Sequence, residues 1–239
     1  MKFAIIAAGE GSRLSAEGVP QPKPLVPLCG EPMIARLVRI FRSLGAEEVV
    51  VIVNRLVPET EAYIRQMQAD TGKDEAPIRL IVETTPSSMH SFYALSQHLR
   101  GAKFCLTTVD TIFRENDFAT YIHAFENSTA DGLMAVTDHI DDEKPLYVAT
   151  NDDLRITNFL DEHTPSVRYI SGGIYCLTDK AIEVLHRCMA EGQSRMRNFQ
   201  RALITAGLHI DAYPFDSKIL DVDHAEDIVK AETFLSQTS

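Results

Sequence analysis

The chain opens on an apolar run that leads directly into a glycine-rich turn. Residues 3–7 are all apolar, and Gly9 and Gly11 follow them. A continuous apolar run of this kind is typical of a strand buried on both faces of a parallel sheet. Parallel strands need crossover connections, which are usually helices. The opening therefore predicts an α/β fold.

Strand-like and helix-like segments alternate through the first half of the chain. The residue pattern predicts strands at 3–7, 48–53, 78–82 and 104–109, and helices at 32–44, 58–69 and 87–99. This order predicts a three-layer αβα, doubly wound, mostly parallel but mixed sheet. Ligands of such sheets bind beyond the carboxyl ends of the strands. The glycine turn and Asp110 both fall at that edge.

The second half of the chain is more mixed. Asn151, Asp152 and Asp153 separate two short strand-like runs and predict a hairpin. Gly172 and Gly173 interrupt a longer strand, where glycine often marks a bulge or a close ligand. The predicted strands are 133–136, 146–149, 156–159, 169–177 and 209–215, and the predicted helices are 178–189, 196–206 and 225–235.

Composition narrows the classes of function. The chain has 239 residues and a formal net charge of −11, which argues against a nucleic-acid partner. No apolar run approaches the about 20 residues that cross a bilayer, so we expect no membrane association. The short apolar run at the N-terminus is followed at once by Glu10 and Arg13, unlike a signal peptide. Four cysteines without a C-x-x-C pair indicate reduced thiols and a cytoplasmic protein, and disfavour a zinc site.

The glycine turn is followed by two cations, Arg13 and Lys23. Glycine exposes backbone N–H groups and lets a phosphate approach, and the cations can neutralise it. By itself the turn is a weak signal. Leu14 stands where a dinucleotide fingerprint has its third glycine, and the Walker A Gly-Lys-Ser/Thr is absent. A tight turn with a solvated arginine is the competing interpretation.

The spacing of the turn to Lys23 carries a resemblance to a known family. Residues 6–14 read IAAGEGSRL, and residues 23–34 read KPLVPLCGEPMI. This pattern resembles the signature of sugar-phosphate nucleotidyltransferases (NDP-sugar pyrophosphorylases), which have a GT-A, Rossmann-like fold. The resemblance implies that Arg13 and Lys23 are catalytic and hold the triphosphate. It also implies a set of nucleotide-binding residues: Ala8, Gly9, Gly11 and Ser12.

The same resemblance implies a Mg²⁺ site made of two aspartates. Asp110 ends a predicted strand, and Asp223 lies in the segment LDVDHAEDI at 220–228, which is similar to the closing segment of the family. Mg²⁺ prefers a few carboxylates together with phosphate oxygens. Asp221 is the alternative to Asp223, and Asp227 is expected in the first turn of the last helix.

The regions that bind the base and the acceptor depart from the family pattern. The resemblance places Glu83 and Ser91 at the nucleotide, and His90 where relatives have glycine. His90 is a candidate substrate-binding residue that could contact the nucleotide or the acceptor, and the alternative is a helix N-terminal residue with no chemical role. Ser171-Gly172-Gly173 resembles an acceptor segment in which serine replaces asparagine. The sequence therefore predicts the type of reaction more firmly than the identity of the acceptor.

These features predict Mg²⁺-dependent transfer of a nucleotidyl group from a nucleoside triphosphate to a phosphorylated acceptor. A sugar 1-phosphate is the first expectation, with phosphocholine or another phosphorylated alcohol as the alternative. A molybdenum-cofactor guanylyltransferase, a glycosyltransferase and a non-catalytic regulatory subunit are the competing functions. One domain over 1–239 is expected, with a nucleotide half at about 1–115 and an acceptor half at about 116–239. A homo-oligomer is left open.

Overall fold

The computed structural model of this chain describes residues 1–139 and 144–237, and its centre is one nine-stranded sheet. Two short two-stranded ribbons accompany that sheet. In chain order, the strands are β1 (Lys2–Ala7), β2 (Pro27–Leu28), β3 (Glu31–Pro32), β4 (Glu48–Val53), β5 (Ile78–Val82), β6 (Phe104–Thr108), β7 (Thr111–Ile112), β8 (Gly132–Thr137), β9 (Tyr147–Thr150), β10 (Ile156–Leu160), β11 (Tyr169–Leu177), β12 (Ile210–Pro214) and β13 (Leu220–Asp221).

Helices connect and cover these strands. Within the described residues they are α1 (Ser12–Ala16), α2 (Met33–Ser43), α3 (Pro58–Ala69), α4 (Ser88–Ser96), α5 (Glu115–Asn127), α6 (Asp179–Ala190), α7 (Met196–Thr205) and α8 (Ala225–Ser236). None of the helices in the described part of the chain combines the length and the apolar character that a bilayer crossing requires.

The sheet is parallel in the first half of the chain and becomes mixed in the second. Strands β6, β1, β4 and β5 are neighbours and run parallel, as the alternation of segments predicts. Strand β11 then pairs antiparallel with β6, β8 and β9. The expected hairpin is confirmed as the antiparallel pair β9–β10. The register of β11 against β8 shifts between Ser171 and Tyr175, which confirms an irregularity at the two glycines.

The two faces of β1 belong to different layers of the core. Phe3 packs on one face, where its ring stacks on Phe41 of α2 with centroids 4.5 Å apart. Ala4 and Ile6 face the opposite layer, which includes Phe92 of α4. Burial of alternate side chains in two separate apolar clusters is the physical basis of a strand covered on both sides. The predicted three-layer αβα arrangement is thus confirmed.

Two helices lie outside the predicted elements, and one ends early. The short helix α1 directly follows Gly11, and the longer α5 covers the apolar cluster on the Phe3 face. Helix α4 ends at Ser96 rather than 99, because the N–H groups of His98 and Leu99 bond to carbonyls three residues back, as in a tight turn.

Candidate active site

A cavity of about 410 Å³ lies beyond the carboxyl ends of β1, β4 and β6. We call it the first cavity. The end of β1 and the glycine turn form one side of it. Asn54 after β4 forms another side together with residues 85–88 and Ser91, and residues 108–110 close it. Because these strands are parallel, the loops that follow them meet at one edge of the sheet. The position agrees with the one predicted from the sequence.

Gly11 shapes the turn that borders the first cavity. Its φ of 61° lies in the left-handed region, which favours glycine, and it is the N-cap of α1. A Cβ atom at this position would lie 2.9 Å from Cβ of Lys23, closer than side chains normally approach. Gly11 therefore allows the main chain at Lys23 to pass beside the turn. Gly9, also in the lining, has open space around it.

Four charged side chains meet at the mouth of the first cavity. The ammonium of Lys23 forms ion pairs with Asp110 and with Oδ1 of Asp223, the latter at 2.7 Å. Arg13 Nη1 donates to Oδ2 of Asp223 at 3.0 Å. Burial opposes charging of Lys23, whose side chain is 11 % exposed, but attraction by Asp110 and Asp223 outweighs it and raises its pKa. Lys23 is therefore a fully charged cation at neutral pH.

A short ribbon brings the two distant aspartates together. Strand β13 pairs antiparallel with β7, and Val222 N donates to the carbonyl of Asp110 at 3.1 Å. Asp223 is held in turn by Asp227, which accepts from the N–H of Asp223 at 3.2 Å and of His224 at 2.8 Å. Asp227 lies in the first turn of α8, as expected.

The carboxylates of Asp110 and Asp223 are suitable for a magnesium ion. Both already share one cation, the Lys23 ammonium, at the edge of the first cavity. Mg²⁺ is usually held by one or two carboxylates and completes its shell with phosphate oxygens and water. Within residues 1–139 and 144–237 there is no cluster of three or more acidic, histidine or cysteine side chains for a metal. A two-carboxylate site that depends on substrate oxygens is consistent with both facts.

The residues predicted to contact the base separate into two groups. Ser91 is 2 % exposed, lines the first cavity and hydrogen-bonds to the hydroxyl of Thr85. Glu83 is exposed and is not part of the lining. His90 is not part of it either, and its Nδ1 lies 2.8 Å from Oγ of Ser87, the N-cap of α4.

A second cavity of about 380 Å³ adjoins the first. Arg13 and Asp223 line both cavities, so they mark the border. Ser171 and Gly172 line the second cavity, and so does Asp221. Ser171 Oγ donates to Gln200 at 3.2 Å, which fixes its direction. Gly173 is outside the lining, with a φ of 72°.

Asn54 is a residue of the site that the sequence motifs missed. It is 3 % exposed, and its Nδ2 donates to the carbonyl of Ala8 at 3.2 Å. Its Oδ1 accepts from Leu56 N at 3.0 Å and from Thr84 Oγ1 at 2.7 Å. The side chain thus ties the end of β1 to the loops after β4 and β5. A polar residue directly after a β-branched strand was the available signal, and it is the same signal that indicated Asp110.

Comparisons with known proteins agree with this geometry. The model of the MobA-like NTP transferase domain matches residues 3–205. The UTP–glucose-1-phosphate uridylyltransferase AglF of Haloferax volcanii is 26 % identical over 246 aligned positions, which cover 99 % of this chain and 97 % of that protein.

Solved structures share the fold at lower identity. A putative glucose-1-phosphate thymidylyltransferase from Bacillus anthracis superposes with a TM-score of 0.85 at 16 % identity, covering 100 % of this chain and 96 % of the other. The inositol-1-phosphate CTP transferase from T. maritima gives a TM-score of 0.78 at 16 % identity, covering 99 % and 98 %. Because the family model spans most of the sequence, including the glycine turn, Lys23 and Asp110, this chain belongs to the MobA-like NTP transferase domain family and is a nucleotidyltransferase.

Proposed function

We propose that this enzyme transfers a nucleotidyl group from a nucleoside triphosphate to a sugar 1-phosphate, with Mg²⁺, and releases pyrophosphate. One observation carries the proposal: Arg13, Lys23, Asp110 and Asp223 meet where two cavities adjoin. A reaction that joins two phosphorylated substrates needs neighbouring sites and charged groups at their border. The similarity to a glucose-1-phosphate uridylyltransferase along nearly the whole chain supports the same reaction.

The first cavity is the proposed nucleotide site. Ala8, Gly9, Gly11 and Ser12 would offer backbone groups and space to the nucleotide, and Ser91 would contact it from α4. Arg13 and Lys23 would bind the triphosphate and stabilise the negative charge that spreads during displacement at the α-phosphorus. Asp110 and Asp223 would hold Mg²⁺, which neutralises phosphate charge when bound. The attacking group is a phosphate oxygen of the acceptor, so no protein nucleophile is required.

The second cavity is the proposed acceptor site, and its chemistry favours a sugar. Ser171, Thr137 and Asp221 offer hydroxyl and carboxylate groups that can bond to sugar hydroxyls. In the described part of the chain, no tyrosine, phenylalanine or tryptophan lines it. Aromatic faces are the usual binding surface for a choline cation. Phosphocholine is therefore the weaker candidate. Glu83, His90 and Gly173 line neither cavity and are left out of the proposed contacts.

A pyrophosphate-release screen tests this function. The four common nucleoside triphosphates would be paired with sugar 1-phosphates, polyol phosphates and phosphocholine in the presence of Mg²⁺. Turnover that requires a sugar 1-phosphate supports the proposal. Turnover with phosphocholine and with no sugar 1-phosphate would show that the acceptor is phosphocholine and would contradict the proposed acceptor. Absence of turnover with every pair contradicts the proposed reaction.

Two variants connect the activity to the site. Lys23→Ala and Asp110→Ala should each slow turnover about 10²-fold or more, because each removes one electrostatic stabiliser. Lys73→Ala is the matched control, since Lys73 is exposed and lines neither cavity. Near wild-type turnover in either site variant would contradict the catalytic or metal-binding role proposed for that residue.

The same proposal includes a single nucleotidyltransferase domain and a cytoplasmic location. Both halves of the chain, about 1–115 and 116–239, contribute strands to one sheet, which supports a single nucleotidyltransferase domain. All four cysteines are unpaired, and Cys105, Cys176 and Cys188 are buried, which is consistent with a reducing cytoplasm.

A further inference from the structure

Two segments that border the active site are joined by one carboxylate, that of Glu17. This residue is the C-cap of α1, the short helix that follows the glycine turn and contains Arg13. Its Oε1 lies 2.6 Å from Nδ1 of His224, and its Oε2 accepts from the N–H of Ala225 at 2.6 Å. His224 directly follows Asp223 in the chain. Glu17 therefore holds the backbone next to a proposed metal ligand.

The position of Glu17 at the start of α8 strengthens this contact. The first N–H groups of a helix have no partner within the helix, and negative charge is favoured beside them. Asp227 occupies the N–H groups of Asp223 and His224, and Glu17 occupies that of Ala225. The two carboxylates together fix the segment 223–225 from opposite elements, α8 itself and α1.

Asp223 is also held by two cations, but the substrate would compete with Asp223 for them. Arg13, at the other end of α1, bonds to Asp223 at 3.0 Å. Lys23 bonds to Asp223 as well. In the proposed reaction both cations turn toward the triphosphate. Neither His224 nor Ala225 lines the first cavity, so their contacts with Glu17 can persist when the nucleotide binds there.

We propose that Glu17 is a positioning residue: it keeps Asp223 in place at the metal site while Arg13 and Lys23 bind the triphosphate. The proposal rests on the function proposed above. It assigns Glu17 no contact with substrate, because Glu17 lines neither cavity. Its effect should therefore appear in turnover rather than in nucleotide affinity.

Kinetics of Glu17→Ala and Glu17→Gln test this role. A displacement of about 1 Å at a catalytic group can cost about 10²-fold in rate, so we expect kcat to fall by roughly 10- to 100-fold in Glu17→Ala. Glutamine keeps an acceptor for Ala225 N–H, so its loss should be smaller. KM for the triphosphate should change less than about 3-fold, since the cations that bind it remain. Glu183→Gln is the control, because Glu183 likewise joins distant segments through Arg100 and lines neither cavity.

A double-mutant cycle separates positioning from a general structural role. If Glu17 acts through Asp223, then adding Glu17→Ala to Asp223→Asn should produce no further loss of kcat. Losses that multiply, or an equal loss in Glu183→Gln, would overturn the proposal.

Hydrogen–deuterium exchange gives a readout that does not depend on turnover. The amides of residues 222–225 should exchange faster in Glu17→Ala than in the wild-type protein. The amides of β1 and β6 should exchange at the same rate in both proteins. Unchanged exchange at 222–225 overturns the role of Glu17. Absence of turnover in the wild-type protein overturns the proposed function instead, so the two failures are distinguishable.

Discussion

Substitution of Gly11 by alanine is the sharpest test of how the glycine turn serves the site. The change adds one methyl group and removes no charge or hydrogen bond. It has two separable consequences. The backbone at Gly11 has a φ of 61°, which an L-residue adopts at a cost. The new Cβ would also lie 2.9 Å from Cβ of Lys23.

The size of both effects follows from the structure. A left-handed conformation costs a non-glycine residue about 1–2 kcal/mol. For a chain of this length, that lowers Tm by roughly 2–8 °C. Relief of the contact to a normal carbon–carbon separation of about 3.5–4.0 Å requires a shift of about 0.6–1.1 Å at Lys23. Because Lys23 is the cation that we propose to act at the triphosphate, a shift approaching 1 Å can reduce turnover by up to about 10²-fold.

Gly45→Ala separates the two effects. Gly45 has a φ of 72°, so it carries the same backbone cost, but a Cβ there meets no atom within 4 Å. Both variants should lose similar stability in thermal unfolding. In pyrophosphate release, measured well below both Tm values, Gly45→Ala should match the wild-type enzyme and Gly11→Ala should be about 10²-fold slower. If both variants turn over equally, the contact between Gly11 and Lys23 does not position the cation.

Two further predictions concern stability. Asn54→Ala should destabilise the protein by about 1–3 kcal/mol, because it leaves the buried carbonyl of Ala8 and the partly buried N–H of Leu56 without their partner. A loss below about 0.5 kcal/mol in urea unfolding would contradict this. The side-chain hydrogen bond from Arg39 lowers the pKa of Glu115 from its ordinary 4.5. The ion pair therefore stabilises the folded protein at pH values above 4.5, and this stabilisation is lost as the pH falls through the lowered pKa. Glu115→Gln should therefore lower the free energy of unfolding at pH 7 by less than about 1 kcal/mol, since the pair is exposed, and the difference should vanish in strong acid; a difference that persists there would refute the assignment.

Local patterns in the sequence were sufficient for most of the fold. The β-branched run at 48–53 and the apolar run at 169–177 reproduce the bounds of β4 and β11. Burial on both faces of a central strand leaves a clear signal in a single segment. Helix α5 was missed although its sequence carries a helical signal. Two acidic residues lie in its first turn, and apolar residues that are buried in the structure follow at helical spacing: Phe118, Tyr121, Ile122 and Phe125.

The arrangement of the site was less accessible from the sequence. The glycine turn and Asp110 follow strands that are recognisable one at a time. The place of Asp223 depends on the pairing of β13 with β7, two-residue strands too short to leave a pattern. The roles of Asn54 and Glu17 depend on how loops from separate strands meet. For the same reason, Glu83 lies outside the first cavity although it follows β5 at the correct edge.

The charges at the border of the two cavities give a physical reason for a divalent cation. Lys23 and Arg13 carry two positive charges, and Asp110 and Asp223 carry two negative ones, so the paired cluster is neutral as a whole. A triphosphate is a polyanion, and a neutral cluster offers it little attraction at a distance. If the nucleotide arrives with Mg²⁺, Asp110 and Asp223 can hold the metal while Lys23 and Arg13 turn to the phosphate oxygens. The same ion pairs that order the site before substrate binds would then be exchanged for contacts that serve the reaction.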